Sequence, residues 1–149
     1  MLSKTKPAAS IEDLYNVPEH GKAELVDGKL VRVSPTGGRA SRAALRIVMG
    51  LSNYEDQRGG GYAIGDNVGF IVDLPNRKSF SPDAAWYLGD VNRMEFLEGT
   101  PTFAVGVRSE SDYGQRAEQA IARKISDYFA AGTLVVWDVD LLSEDVVRV

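Results

Sequence analysis

Hydrophobic and polar residues follow two different periods along this chain, and each period predicts a different kind of element. Alternation through KAELVDGKLVRVS, interrupted at Asp27-Gly28, is typical of a β-hairpin with a two-residue turn. Apolar residues three or four positions apart predict one long helix over about residues 39–57 and a second within YGQRAEQAIARKISDYFAAG. Ser10, with Asp13 three residues later, predicts a capped short helix before the hairpin.

Each long helix carries an apolar stripe that should face a sheet. In the first helix the stripe comprises Leu45, Ile47, Val48, Leu51 and Tyr54. In the second it comprises Ala117, Ile121, Ile125 and Tyr128 or Phe129. Glycines at 59 and 132 follow the two patterns at positions that commonly end helices.

The remaining segments predict strands. YAIGDNVGFIVDLPNRKSFSPDAAWYL indicates two or three strands, with a turn at residues 74–76 between the last two, and FAVGV indicates another. TLVVWDVD is an unbroken apolar run, typical of a strand buried on both faces, while DVNRMEFLEG indicates only an irregular helical turn. A last strand, EDVVRV, runs to the end of the sequence, which indicates a shortened C-terminus.

This order of elements predicts a mixed β-sheet flanked by helices, an α/β fold forming a single domain over residues 1–149. There is no cysteine, which excludes disulfides and thiolate metal sites, and the single histidine, His20, excludes a zinc site built from several imidazoles. The start, MLSKTKPAAS, lacks the apolar core of a secretory signal, and no window is apolar enough to span a membrane. We therefore expect a cytoplasmic protein.

Three charged residues stand apart from the solvated background. Asp83 follows a proline at the start of an apolar strand, although aspartate is also common in ordinary turns. Lys124 borders the apolar stripe of the second long helix, where a lysine with a packed stem and a solvated ammonium is the alternative. Glu24 alternates with Val26 on the first hairpin, so it points either to the interior, where it needs a partner or a metal, or to solvent.

Four segments together resemble the Uma2 family of endonucleases, within the PD-(D/E)XK, or restriction-endonuclease-like, nuclease superfamily. They are KAELVDGKLV, SFSPDAAWYL, FAVGVRSESDYG and ARKISDYFAAGTLVVWDVD, in this order, and the resemblance extends over about residues 10–149. It implies a restriction-endonuclease-like sheet and Mg²⁺- or Mn²⁺-assisted hydrolysis of DNA phosphodiesters, with the ion held by oxygen ligands and lowering the pKa of a bound water. It also implies a homodimer.

The resemblance assigns roles residue by residue. Asp83 and Glu24 match metal-binding carboxylates, the Val107 carbonyl could face the ion, and Lys124 matches a lysine that orients the attacking water. The second carboxylate of the motif falls on Gly106, and Arg108 occupies the place of the usual motif lysine. Residues 104, 106 and 108 share one face of the strand, so a carboxylate is missing beside Arg108.

This substitution predicts impaired metal binding and weak or absent catalysis. Glu110 and Asp112 lie four and six positions further on, roughly 13–20 Å along an extended strand, so neither replaces the missing group unless the loop folds back. Two hypotheses follow. Either the chain is an Mg²⁺-dependent DNA endonuclease, or it is a non-catalytic module on the same fold that binds nucleic acid or self-associates.

Other assignments have less support. RGGGYAIGDNVG lacks the P-loop pattern, and a serine hydrolase would have only His20 as its base and no nucleophile elbow. A local basic patch for phosphates could combine one edge of the first long helix with two further pairs, or these cations could be scattered over solvated faces. The residues concerned are Arg39, Arg42 and Arg46, then Arg77-Lys78 and Arg116-Arg123. The net charge of −4 and pI of about 5.0 limit any nucleic-acid contact to such a local surface.

Overall fold

The computed structural model describes residues 7–18, 21–33 and 35–149, and His20 lies outside these ranges. The helices of the described ranges are α1 (Ile11–Tyr15), α2 (Gly38–Arg58) and α3 (Gln115–Ala131). The strands are β1 (Ala23–Val26), β2 (Lys29–Arg32), β3 (Tyr62–Ile64), β4 (Phe70–Leu74), β5 (Arg77–Phe80), β6 (Ala84–Tyr87), β7 (Leu97–Glu98), β8 (Phe103–Val107), β9 (Val135–Val139) and β10 (Val147–Arg148).

The strands form two mixed sheets of five strands each. One sheet has the order β2-β1-β5-β4-β7 and the other has the order β10-β9-β8-β6-β3. In the second sheet β8 and β9 run parallel, as the α3 crossover between them requires, while β6 and β8 are antiparallel. The chain passes between the two sheets several times, and residues 81–83, which lead from β5 in the first sheet to β6 in the second, form the passage that we call the crossing segment.

Three hydrophobic clusters join these layers. The largest lies between the two sheets and α3 and includes Phe80 and Tyr128, whose rings stack with centroids 3.9 Å apart. The second lies between α2 and the other face of the β8–β9 sheet, and the third packs α1 against Ala23 and Leu25 of β1. The α/β fold with flanking helices is therefore confirmed, with two sheets where the sequence pattern predicted one.

The hairpin and the helix ends agree with the sequence pattern. Strands β1 and β2 pair around Asp27 and Gly28, whose φ angles of 52° and 70° suit a two-residue hairpin turn. Ser10 and Asp13 form the reciprocal capping box at the start of α1. The glycines at 59 and 132 follow the ends of α2 and α3 as predicted.

Two predictions over the middle of the chain are wrong. The stretch from residue 62 to 87 contains four strands, and the turn at Pro75 lies between β4 and β5, with β6 still to follow. The segment DVNRMEFLEG contains the short strand β7, which pairs parallel with β4 through Phe70–Leu97, and no helical turn. Leu97 is buried in the main core, so tertiary packing determines this segment where local pattern is weak.

The buried face of α2 is rotated from the predicted stripe. The residues against the sheet are Ala40, Ala43, Ala44, Ile47, Val48 and Leu51. Leu45 and Tyr54 are about half exposed, at 49% and 53%. Small alanines bring the helix close to β8, and a stripe defined by large apolar residues alone overlooks them. Within the described ranges, no helix combines the length and the apolarity that crossing a bilayer requires.

The end of α3 gives a stability prediction with a matched control. Gly132 has φ 112°, in the left-handed region, so Gly132→Ala should lower the free energy of unfolding by roughly 1–2 kcal/mol. Gly50 lies inside α2 with open space around its Cα, so Gly50→Ala should instead raise this free energy by roughly 0.5–1 kcal/mol. Urea denaturation of both variants measures the two signs, and a stable Gly132→Ala protein would contradict the assignment.

Candidate active site

A cavity of about 160 Å³ opens beside the crossing segment, residues 81–83. Its walls come from the crossing segment, the end of β8, the middle of α3 and the start of β9. Asp83, Gly106, Val107, Arg108 and Lys124 line the cavity. Glu24 contacts Lys124 from behind the wall, so the structure brings together all six residues singled out from the sequence.

Glu24 is a buried carboxylate in β1. Alternation places its neighbours Ala23 and Leu25 in the α1 cluster, so Glu24 faces the opposite side and is only 2% exposed. Its Oε2 accepts a hydrogen bond from the Ser81 amide at 2.6 Å, and its Oε1 lies 3.3 Å from the Arg77 guanidinium. Burial alone would raise the pKa of Glu24, but the charges of Lys124 and Arg77 outweigh it and hold the pKa below its ordinary value.

Lys124 lies on α3 and donates directly to Glu24. Its Nζ is 2.7 Å from Glu24 Oε1, and the side chain is 38% exposed. Ile121 and Ile125, on the apolar stripe of the same helix, line the cavity beside it. The Lys124 ammonium is therefore paired with a buried carboxylate, while part of the side chain faces the cavity. The alternative of a lysine whose ammonium is fully solvated does not describe this arrangement.

Asp83 directly precedes β6 and is bonded to β8 through both its backbone and its side chain. Its amide donates to the Val105 carbonyl at 2.9 Å, which extends the β6–β8 ladder by one residue. Its Oδ2 accepts from the Val107 amide at 2.7 Å. The contact that the structure gives for Val107 is thus through its N–H, and a role for its carbonyl in holding an ion stays a prediction.

Lys22 is a site residue that the sequence reasoning missed. Its Nζ lies 2.9 Å from Asp83 Oδ1 and 2.5 Å from Asp66 Oδ1, and the side chain is only 12% exposed. Burial lowers the pKa of Lys22, but the two carboxylates more than compensate and raise it above its ordinary value. The signal was present in the sequence, because residues 22 and 24 alternate onto the same face of β1.

Gly106 faces the cavity without any conformational need for glycine. Its φ is outside the left-handed region, and a Cβ built on it meets no atom of the described residues within 4 Å beyond its chain neighbours. Asp138 is its register partner on β9. A longer side chain at position 106 would therefore extend into open space, so neither packing nor backbone strain explains the glycine.

Arg108 is committed to carboxylates on neighbouring elements. Its Nε and Nη2 donate to the two oxygens of Asp138 at 2.9 and 2.8 Å, and Nη2 also donates to Glu118 Oε2 at 3.0 Å. The hydrogen bonds that Arg108 donates to Asp138 and Glu118 raise its pKa further above its already high ordinary value. The cation in the place of the motif lysine therefore holds β8, β9 and α3 together.

The loop after β8 folds back toward the cavity. Asp112 lines the cavity wall, against the expectation from extended-strand distances, but its Oδ2 accepts from the Ser109 amide at 2.8 Å and from the Ser109 hydroxyl at 3.0 Å. Ser81 also lines the cavity, and among the described residues its buried hydroxyl has no hydrogen-bond partner. This hydroxyl is enclosed by the protein, so it offers no contact to a ligand in the cavity.

The carboxylates of Asp83, Glu24 and Asp138 are not arranged to bind a divalent ion, because they are already paired with cations of the chain. Asp83 and Glu24 each accept from a lysine ammonium, and both oxygens of Asp138 accept from Arg108. Across the described parts of the chain, no three aspartate, glutamate or histidine side chains converge as a metal-binding group. A hard divalent ion needs several oxygen ligands, and here it would also stand against two ammonium groups.

The predicted basic patch is only partly correct. Arg77 is 3% exposed and binds Glu24 and Asp127, so it is part of the interior and unavailable to a phosphate at the surface. Lys78 and Arg123 pair with Asp73 and Asp27. Arg39, Arg42 and Arg46 are exposed on α2, and within the described ranges none of the three pairs with a carboxylate.

Comparisons with known proteins agree with this architecture. The Uma2 family model, described as "Putative restriction endonuclease", matches residues 9–148. Among solved structures, a "putative nuclease belonging to DUF820" from Anabaena variabilis is similar, with a TM-score of 0.69 and 16% sequence identity over 89% of this chain and 74% of that one. At that identity the likeness supports the fold. The comparison with curated proteins finds no significant match.

Proposed function

Since this chain belongs to the Uma2 family of restriction-endonuclease-like proteins, we propose that it binds DNA through the phosphodiester backbone and that its Mg²⁺-dependent hydrolysis is weak or absent. The observation that carries the proposal is Gly106. It leaves open space beside Asp83 where the resemblance expects a carboxylate. The proposal also covers the ancestral functions of the site. In it, the catalytic residues were Asp83, Glu24 and Lys124. The metal was held by Asp83, Glu24 and Val107.

Positive groups lead from the surface into the cavity. The cavity wall includes Thr36, and α2 begins two residues later at Gly38. The exposed arginines at positions 39, 42 and 46 continue along one edge of this helix. A DNA backbone along this edge would bring a phosphate to the cavity mouth, near the partly exposed Lys124.

This arrangement predicts DNA binding that does not require a divalent ion. Wild-type protein should bind duplex DNA in EDTA, and the variant Arg39→Gln/Arg42→Gln/Arg46→Gln should bind at least about tenfold more weakly, with the salt dependence reduced by about three units of slope. Fluorescence anisotropy across a salt series measures both quantities. Arg93→Gln, which removes a cation already near Glu95 and Glu98, is the control and should change little.

Plasmid cleavage in Mg²⁺ or Mn²⁺ decides between the two functions. We expect wild-type protein to cleave supercoiled plasmid no faster than Asp83→Ala. An active endonuclease is the second candidate, favoured by the convergence of Asp83, Glu24 and Lys124 at one cavity. Robust wild-type cleavage that is lost in Asp83→Ala would establish that candidate and overturn the proposal. The homodimer, the cytoplasmic location and the single domain over residues 1–149 stay predictions.

A further inference from the structure

The ammonium of Lys22 lies between two carboxylates at the cavity. Its distances to Asp83 Oδ1 and Asp66 Oδ1 are 2.9 and 2.5 Å, and most of the side chain is shielded from water. The other oxygen of Asp83 accepts from the Val107 amide. Each oxygen of Asp83 therefore already accepts a hydrogen bond from within the chain.

The backbone holds Lys22 in this orientation. The Lys22 carbonyl accepts from the Val33 amide at 2.9 Å, which continues the β1–β2 ladder by one residue. Ala23 and Leu25 pack into the α1 cluster on one face of β1, so Lys22 and Glu24 must project from the other. Removing Lys22 from Asp83 would require a change of side-chain conformation within a mostly buried site.

We propose that Lys22 serves as a built-in cation at Asp83 and excludes a divalent ion from this cavity, in addition to the loss of a carboxylate at Gly106. A metal bound to Asp83 would use the oxygen that now accepts from Lys22, and it would lie within a few ångströms of the ammonium. Like charges at that separation repel more strongly than in bulk water, because the Lys22 side chain is only 12% exposed. This inference rests on the proposed function and specifies why restoring one ligand should not restore the metal site.

The test measures Mn²⁺ binding directly, from the electron paramagnetic resonance signal of the free ion, on four proteins. They are wild type, Lys22→Met, Gly106→Glu and the double variant. Wild type should bind weakly, and the double variant should bind at least about tenfold more tightly than Gly106→Glu alone, because only it has both the added carboxylate and a free Asp83 oxygen. A rise in melting temperature with Mn²⁺ should follow the same order.

Two controls separate charge from packing. In the Gly106→Glu background, Lys22→Arg keeps the cation and should leave Mn²⁺ binding weak, while Lys78→Met removes an exposed lysine paired with Asp73 and should have no effect. Lys22→Gln replaces Lys22→Met if the latter fails to fold.

Equal Mn²⁺ affinity of Gly106→Glu and the double variant, or tight binding by wild type, would overturn the inference. DNA binding in EDTA, measured on the same proteins, reports on the proposed function separately. If the Mn²⁺ measurements contradict the inference about Lys22, the DNA binding and plasmid cleavage expected of wild-type protein stay the same.

Discussion

Replacing Arg77 by methionine is expected to destabilise the protein by roughly 3–5 kcal/mol, because it leaves the buried Asp127 without its cation and Glu24 with Lys124 alone. Arg77 Nε lies 2.9 Å from Asp127 Oδ2 and Nη1 lies 3.3 Å from Glu24 Oε1, and the arginine is 3% exposed. Methionine keeps much of the apolar stem but removes the guanidinium, whose Cζ lies 4.8 Å from the centroid of the Phe80 ring. At about 2–4 °C per kcal/mol, the melting temperature should fall by roughly 6–20 °C.

The control for this prediction is a surface arginine with similar bonding. Arg123 donates to both oxygens of Asp27 at 2.7 Å, but the two side chains are 47% and 51% exposed. Arg123→Met should therefore cost no more than about 1 kcal/mol. Thermal and urea denaturation of the two variants compare a buried with an exposed arginine–carboxylate pair. Equal losses of unfolding free energy would contradict the interpretation that burial makes the Arg77 pairs important.

Arg108→Met is expected to produce a second large loss of stability, roughly 3 kcal/mol or more, since Asp138 would be left buried without a partner. Arg108→Lys should recover only part of it. One ammonium cannot reproduce the guanidinium bonds that reach Asp138 and Glu118 together.

Denaturation curves measure these losses, and Arg116→Met on the exposed surface of α3 is the matched control, with an expected change of about 0.5 kcal/mol or less. A fully stable Arg108→Lys protein would show that the fork geometry is unnecessary.

The sequence predicted the elements whose pattern is strong and local. The Asp27-Gly28 hairpin, the α1 capping box and the end of α3 at Gly132 each depend on a few adjacent residues, and the structure confirms them. Strand β7 depends on pairing with β4 and on burial of Leu97, neither of which leaves a local signal. The orientation of α2 was misjudged because its closest contacts are made by alanines.

The sequence predicted which residues form the candidate site better than it predicted which side chains they pair with. Resemblance to a known family selected Asp83, Glu24, Lys124, Gly106 and Arg108, which the structure places around one cavity. Lys22 and Arg77, which also engage these carboxylates, were not among them, and pairing across 61 residues between Lys22 and Asp83 has no sequence period. Arg77 shows the opposite error, since a charged residue beside a turn was taken for a surface group and lies in the interior.

The crossing segment has a consequence for how this family's motif is interpreted in any single chain. Glu24 binds the Ser81 amide and Asp83 binds the Val107 amide, so these two carboxylates fasten the passage between the sheets. Their persistence would be favoured by foldability alone, even after turnover had ceased. The presence of the motif carboxylates in such a chain therefore indicates the inherited fold. Whether the chain is catalytically active must be judged from which carboxylate oxygens remain free to bind a metal.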